Sequence, residues 1–308
     1  MQIKLNGVAP LRHLGVIRAQ GIDAAKFLHG QLSQDFLTLG LSEARLAAYC
    51  SAKGRMLASF IGLQRSPTEI LLICSLDILA ATLKRLSMFI LRAQLKLSDA
   101  SADYALYGLA GEAAEAVGDG KQTVWARTDV GPASVISLYP AEGVRRVLWL
   151  APFDQKIPAG VAMSESNWAW GEVRSGIAMI STPLVEALVP QMLNYESVGG
   201  INFKKGCYPG QEVVARSQFR GTLKRRAYLA HSDAAMIAGD EIFQAADDSQ
   251  ACGIVAQAAA VPAPSPAGFD AIVSLQIRAK EAGDLHVGNA HGPVLTATAP
   301  PYPLLADI

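Results

Sequence analysis

The sequence predicts an α+β protein: two interlocked units, each an antiparallel sheet with helices, followed by a small C-terminal β-barrel. Three observations predict it. Two successive stretches, 11–91 and 104–175, run through short apolar strands into a helix, the order expected when helices cover one face of an antiparallel sheet. From residue 224 onward short strands alternate with Gly, Pro and Asp, the pattern of a small barrel or sandwich. The 308 residues, 51% hydrophobic and 18% charged, exceed one typical domain and suffice for a substantial core. The units are placed at 1–100, 101–222 and 223–308. No sharp linker separates the first two, so they are expected to interlock.

In the first unit, residues 11–19 read as a strand and 23–32 as a helix with Asp23 as N-cap. Residues 44–50 and 55–63 flank a lysine-glycine turn and form a hairpin. A buried strand over 69–75 leads into a helix over 76–91, with Leu76, Leu79, Leu83, Leu86 and Ile90 at three- and four-residue steps. In the second unit, 104–109 is a strand, 112–117 a helix, Asp119-Gly120 a turn, and 122–127, 133–139 and 144–150 are strands. A helix over 164–175 follows. The barrel strands are placed at 226–231, 240–244, 253–260 and 269–278.

Composition narrows the function classes. Basic and acidic residues balance at 27 each, so no global field favours nucleic acid or a membrane surface. The N-terminus has no long apolar run, and the most apolar region, 70–91, is interrupted by Asp77, Lys84 and Arg85; a soluble, cytoplasmic protein with no membrane partner is expected. Cys50, Cys74, Cys207 and Cys252 lie far apart without a CxxC pair, so no zinc or iron–sulfur cradle is expected. The separated His286 and His291 do not change that expectation of no metal.

The stretch around Cys207 stands out. Between Lys204 and Arg226 lie seven cations (Lys204, Lys205, Arg216, Arg220, Lys224, Arg225, Arg226) against one acid, Glu212. Gly199-Gly200 and Gly206 permit close approach, and Pro209-Gly210 suits a type II turn. A thiol beside cations and before a short helix (212–217) favours its thiolate; a small half-buried residue is the plain alternative. Lys224, Arg225 and Arg226 read as a solvated strand edge that discourages pairing.

KGCYPGQE, Lys205 to Glu212, resembles the signature of the YgfZ-type folate-binding proteins, relatives of the glycine-cleavage T-protein. Its flanks GGINFKKGCYPGQEVVAR and FRGTLKRR, together with FLHGQLSQD (27–35) and AAYCSAKGRM (47–56), follow the same family order. The resemblance implies a T-protein-like body and barrel, with a reduced folate, tetrahydrofolate or a related form, in a central channel where the parts meet. It implies Trp168 as the ring that stacks on the pterin, although a tryptophan alone is more often core. It implies cations for the glutamate tail, with Lys204, Lys205, Arg216 and Arg220 as candidates. Gln211 and Glu212 would hydrogen-bond the pterin or cap the helix, and Tyr208 would stack or pack. The chain departs from relatives in two places. It has His13-Leu14 where many bacterial relatives have an aromatic. It has Val173-Arg174-Ser175-Gly176-Ile177-Ala178 where many carry Ile/Leu-Glu-Ala-Gly-Ile/Phe-Pro. The missing glutamate weighs against T-protein-like aminomethyl transfer, and Arg174 is expected to add positive charge near the pocket.

The function so implied is a folate-binding accessory protein that supports assembly or repair of iron–sulfur enzymes, tRNA-thiolating ones included, with Cys207 as the functional thiol. Its partners would be those enzymes or their assembly factors. The alternative is a folate-dependent one-carbon transferase, which needs a base near the folate; Asp35 and Glu212 are the acids in the motifs. Direct RNA binding ranks last, since aromatics are not interleaved with the cations.

Overall fold

The computed structural model describes residues 5–117, 123–219, 223–265 and 267–305. Strand β1 (Gly7–Pro10) leaves the N-terminus for the second sheet, and Pro10, which lacks an N–H, ends it. The chain turns at 11–13 and re-enters as β2 (Leu14–Gln20). The strand expected over 11–19 therefore begins only at Leu14, and β1 before it, in a different sheet, was not expected. Helix α1 (Ala24–Gln31) follows. Asp23 occupies its N-cap position without a side-chain cap; its carboxylate instead accepts the Gln94 N–H at 2.7 Å.

The hairpin β3 (Ala44–Cys50) and β4 (Met56–Ser66) turns at Gly54, whose φ of +71° suits glycine. Strand β5 (Glu69–Ser75) and helix α2 (Leu76–Ser87) come next, then β6 (Lys96–Asp99). The first sheet runs β3-β4-β5-β2-β6, antiparallel throughout. Its central strands are buried along nearly their whole length, so both faces are covered and the sequence is apolar without alternation. Helix α2 stops at Ser87, a turn short of 91, and its buried face is Ile78, Leu79, Thr82 and Leu86, while Leu76 is exposed.

The second unit contains β7 (Tyr104–Ala110), α3 (Glu112–Glu115), β8 (Arg127–Val130), β9 (Ala133–Ser137), β10 (Arg146–Pro152) and α4 (Glu165–Ser175). Its sheet runs β1-β7-β10-β9-β8. The strand expected over 122–127 lies at Arg127–Val130 instead. Trp125 has a positive φ of 68° and sits in a turn, with its indole N–H donating to the Val198 carbonyl. The Asp119-Gly120 turn lies outside the described residues. Ser164 caps α4 by accepting the Asn167 N–H, and Gly176 closes it in the left-handed conformation.

Helix α5 (Gln211–Phe219) leads to a closed barrel of β11 (Arg225–Ser232), β12 (Glu241–Gln244), β13 (Gly253–Ala260), β14 (Phe269–Gln276), β15 (Leu285–Val287) and β16 (Val294–Thr298). The order around it is β11-β14-β13-β12-β15-β16, with α6 (Ile277–Ala282) between β14 and β15. Strands β15 and β16 were not expected: they are short and partly exposed, and pairing and closure hold them rather than propensity. Of the cations expected on a solvated strand edge, Lys224 is exposed, but Arg225 and Arg226 start β11, which pairs along its length with β14 and over Leu229–His231 with β16. Arg226 is buried and bound to Glu196. Helix α4 docks the body on the barrel, where buried Trp170 donates its indole N–H to Asp270 of β14 at 2.8 Å. Among the described residues no helix is long and apolar enough to cross a membrane.

Candidate functional site

The three sequence motifs converge. The loop bearing Cys207 lies against the end of α1 and the β3–β4 turn. Lys205 points inward: its ammonium donates to the carbonyls of His29 and Leu32, the latter at 2.9 Å, at the C-terminal end of α1. Burial holds its pKa down at about 8, against the raising effects of Asp35 and Cys207. The ammonium also lies 4.7 Å from the Tyr208 ring centroid. Gly210, at φ +79°, touches the hairpin so closely that a Cβ there would stand 2.4 Å from the Ser51 carbonyl oxygen and 2.7 Å from the Gly54 Cα. Glycine is required at both turns for the motifs to meet. Ser33 donates to the Gly200 carbonyl and Gln34 to the Gly199 carbonyl, which fixes the glycine pair to the first unit.

Cys207 is exposed in this loop, whereas Cys50, Cys74 and Cys252 are buried. Burial pushes the Cys50 and Cys74 thiols up to about 12, so they are poor nucleophiles. Beside the loop stands a pair that sequence reading passed over: His29 Nδ1 lies 2.9 Å from Asp35 Oδ1. Burial raises the Asp35 carboxyl's pKa, but the Thr38 and Leu37 N–H groups and His29 outweigh it, so the carboxylate stays ionised. Among the described residues no three His, Cys, Asp or Glu side chains converge as a metal cradle.

A separate cavity of about 620 Å³ opens where the two α+β units and the barrel meet. Its walls include His13 of the turn before β2 and Leu14 at its start, Asp77 of α2, Glu172 of α4, Met179, and Met236, Ile237 and Gln257 of the barrel. Glu172 is its polar centre. It accepts the Trp168 indole N–H at 2.9 Å and the Gln257 amide at 3.2 Å, and His13 Nε2 lies 3.4 Å away. Burial raises the Glu172 pKa, yet His13, Arg146 and the Trp168 bond outweigh it and leave the carboxyl below its ordinary value. Burial likewise works against protonated His13, but the Glu172 carboxylate prevails and its pKa is raised.

The predicted binding residues do not share this cavity. Trp168 is 1% exposed and lies against Gly108, where a Cβ would stand 2.5 Å from the indole carbons, with the Arg146 guanidinium 4.2 Å from the ring. It offers no free face to a pterin; it holds Glu172 instead. Glu212 and Arg216 pair with each other at 2.5 Å on the exposed side of α5. Gln211 starts α5, its N–H donating to the Tyr208 carbonyl, and Tyr208 is buried. Arg220 lies outside the described residues. Arg174 binds Glu142 at 2.5 Å and faces Asp270 at 3.6 Å, so its charge is neutralised away from the cavity. The sequence signal for Glu172 was its position four residues after Trp168 on one helix, which sets both on the same face.

The His13–Glu172 pair gives a pH signature. A raised histidine stabilises fully below its ordinary 6.5 and loses that contribution as pH rises through the higher folded value. A depressed carboxyl contributes above its ordinary 4.5 and loses it as pH falls through the lower folded value. The destabilisation by His13→Gln is therefore expected to be greatest between 4.5 and 6.5. It should fade on the alkaline side in thermal melts across pH; a difference independent of pH would show the pair is not coupled.

Comparison with known proteins agrees with this architecture. The solved structure of the glycine cleavage system aminomethyltransferase T from Bartonella henselae matches with TM-score 0.64 over 96% of this chain and 86% of that one, at 14% identity, a likeness of fold. No family model matches the chain. The chain is similar to the tRNA-modifying protein YgfZ of Edwardsiella ictaluri, 30% identical over 71% of this chain and 69% of that protein. It is likewise similar to the tRNA-modifying protein YgfZ of Photobacterium profundum, 30% identical over 76% and 73%. With that identity sustained over more than two thirds of each protein, the chain belongs to the family of the tRNA-modifying protein YgfZ.

Proposed function

We propose that this protein binds a reduced folate, tetrahydrofolate or a close form, in the cavity between body and barrel. We further propose that it serves as an accessory factor to iron–sulfur enzymes, tRNA-thiolating ones included, with Cys207 as its working thiol. The observation that carries the folate reading is the setting of Glu172. An ionised carboxylate fits the paired amino and ring N–H donors of a pterin, and Gln257 adds an amide beside it. Leu14, Met179, Met236 and Ile237 supply apolar walls for the flat rings, and the volume is that of a small-molecule site. The role in iron–sulfur and tRNA chemistry is supported by family membership and by the exposed thiol in KGCYPGQE.

The one-carbon transferase reading is less well supported. A general base works best with a pKa near the operating pH. Glu172 is instead held low by His13, Arg146 and Trp168, which suits binding better than proton abstraction. Nor, among the described residues, does the cationic stretch form one face for RNA, since Lys205 and Arg226 are buried and Arg216 is paired.

Titration of the purified protein with tetrahydrofolate, followed by tryptophan fluorescence and calorimetry, tests the folate site. Saturable binding is expected, weakened about tenfold or more in Glu172→Gln through loss of a charge-assisted hydrogen bond. No saturation by the wild-type protein would remove the reading. Failure of Cys207→Ala to restore iron–sulfur enzyme activity in a deletion strain is the expected companion result; full restoration would remove the thiol's role.

A further inference from the structure

We propose that His29, oriented by Asp35, is the group that takes the proton from Cys207 and keeps the motif thiol reactive. The inference rests on reading Cys207 as a working thiol. The geometry joins two parts of the chain distant in sequence. Asp35 lies just beyond α1, its carboxylate fixed by the Leu37 and Thr38 N–H groups and its own carbonyl bound by Arg45 of β3. It meets His29 at Nδ1, 2.9 Å away. An ionised carboxylate at Nδ1 selects the tautomer with the proton there and leaves Nε2 as a lone-pair acceptor. That Nε2 faces the thiol's loop: it lies 3.4 Å from where a Cβ on Gly206 would sit. Cys207 is the next residue and is exposed. Glycine at 206 leaves the loop without a side chain at the point nearest Nε2.

The charged groups around the imidazole are consistent with this assignment. Asp35 is the carboxylate bound to the ring. Lys205 comes from the facing loop, its ammonium anchored to the His29 and Leu32 carbonyls and interacting electrostatically with Cys207. Arg45, on β3, spends its charge on Glu43 and the Asp35 and Thr38 carbonyls. Proton transfer breaks the S–H bond and forms an N–H bond at Nε2. The imidazolium is then stabilised by Asp35 and the thiolate by Lys205, with no further reactant needed. The arrangement is that of a nucleophile, a base and an orienting carboxylate, in which His29 activates the thiol and Asp35 is a positioning residue. Lys205 alone would favour the thiolate by charge; the His29–Asp35 pair adds a route for the proton.

The test is the pH profile of Cys207 alkylation in the full-length protein. Iodoacetamide is the probe, and the modified peptide is quantified by mass spectrometry so that the buried cysteines do not contribute. In His29→Gln the rate near neutral pH is expected to fall about fivefold or more, with a smaller fall in the same direction in Asp35→Asn. Both should converge on the wild-type rate at strongly alkaline pH, where the thiol ionises unaided. Wild-type rates across the range would overturn the proposal. So would an equal slowing at every pH, which marks altered access rather than lost activation. If His29→Gln slows alkylation while Cys207→Ala still restores iron–sulfur enzyme activity, the activation stands and the functional role of the thiol falls.

Discussion

Trp168→Ala is expected to destabilise the protein by about 3–5 kcal/mol, the usual cost of removing a large buried aromatic. The indole is among the largest fully buried side chains, lying against Gly108 and beside the Arg146 guanidinium. Its loss leaves a cavity between α4 and β7 and removes the N–H that Glu172 accepts. Trp168→Phe separates these contributions. It keeps an aromatic ring on Gly108 and loses the bond to Glu172, so it should cost less in stability while still perturbing the carboxylate. Denaturant titration measures both: the midpoint should fall strongly for alanine and less for phenylalanine, at similar slopes. A midpoint for Trp168→Ala within 1 kcal/mol of wild type by this measure would mean the ring is not structural. It follows that lost folate binding in Trp168→Ala is not proof of ring stacking; Glu172→Gln is the cleaner probe of the cavity.

Much of the fold was legible because it is written locally. The β3–β4 hairpin carries its turn at Lys53-Gly54, β5 is a continuous apolar run, and Ser164 and Gly176 bracket α4. What was not legible depends on partners far along the chain. β1 pairs with β7 a hundred residues later. β15 and β16 exist because a barrel closes on them. Glu172 becomes the polar centre of a cavity because His13 and Gln257 reach it from another unit and from the barrel. The cationic stretch shows the same limit. As sequence it reads as one basic patch, yet Lys205 ends α1, Arg216 pairs with Glu212 and Arg226 enters the core. Charge counting has no means of telling which side chains find carbonyls and carboxylates inside. Motif order did carry through: segments 27–35, 47–56 and 205–212, ordered along the chain, meet around Cys207.

Arg226→Ala is expected to be as damaging as loss of Trp168, by about 3–5 kcal/mol, because it strands a buried charge. Arg226 of β11 holds Glu196 at 2.8 Å, with the carboxylate side chain 0% exposed. The guanidinium also donates to the Leu305 carbonyl. This contact lies at the junction of body and barrel. Asn194 two residues earlier pairs its amide with both the N–H and carbonyl of Ala227, and Tyr302 donates to the Gly176 carbonyl nearby. Burial already raises the Glu196 pKa despite Arg226 opposing it. Without the arginine only the backbone and Ser197 hydrogen bonds oppose the rise, so it grows, and protonation relieves the stranded charge. The penalty should therefore be largest at neutral pH and shrink as pH is lowered toward the ordinary carboxyl value of 4.5. Replacing both partners, Arg226→Met with Glu196→Leu, should recover most of the loss, since an apolar pair of similar volume avoids the desolvation cost that an unpaired ion carries. Thermal and denaturant stability of the single and double variants across pH decide the matter. If the double variant is as unstable as Arg226→Ala, the pair's other contacts, not its buried charge, hold the barrel to the body.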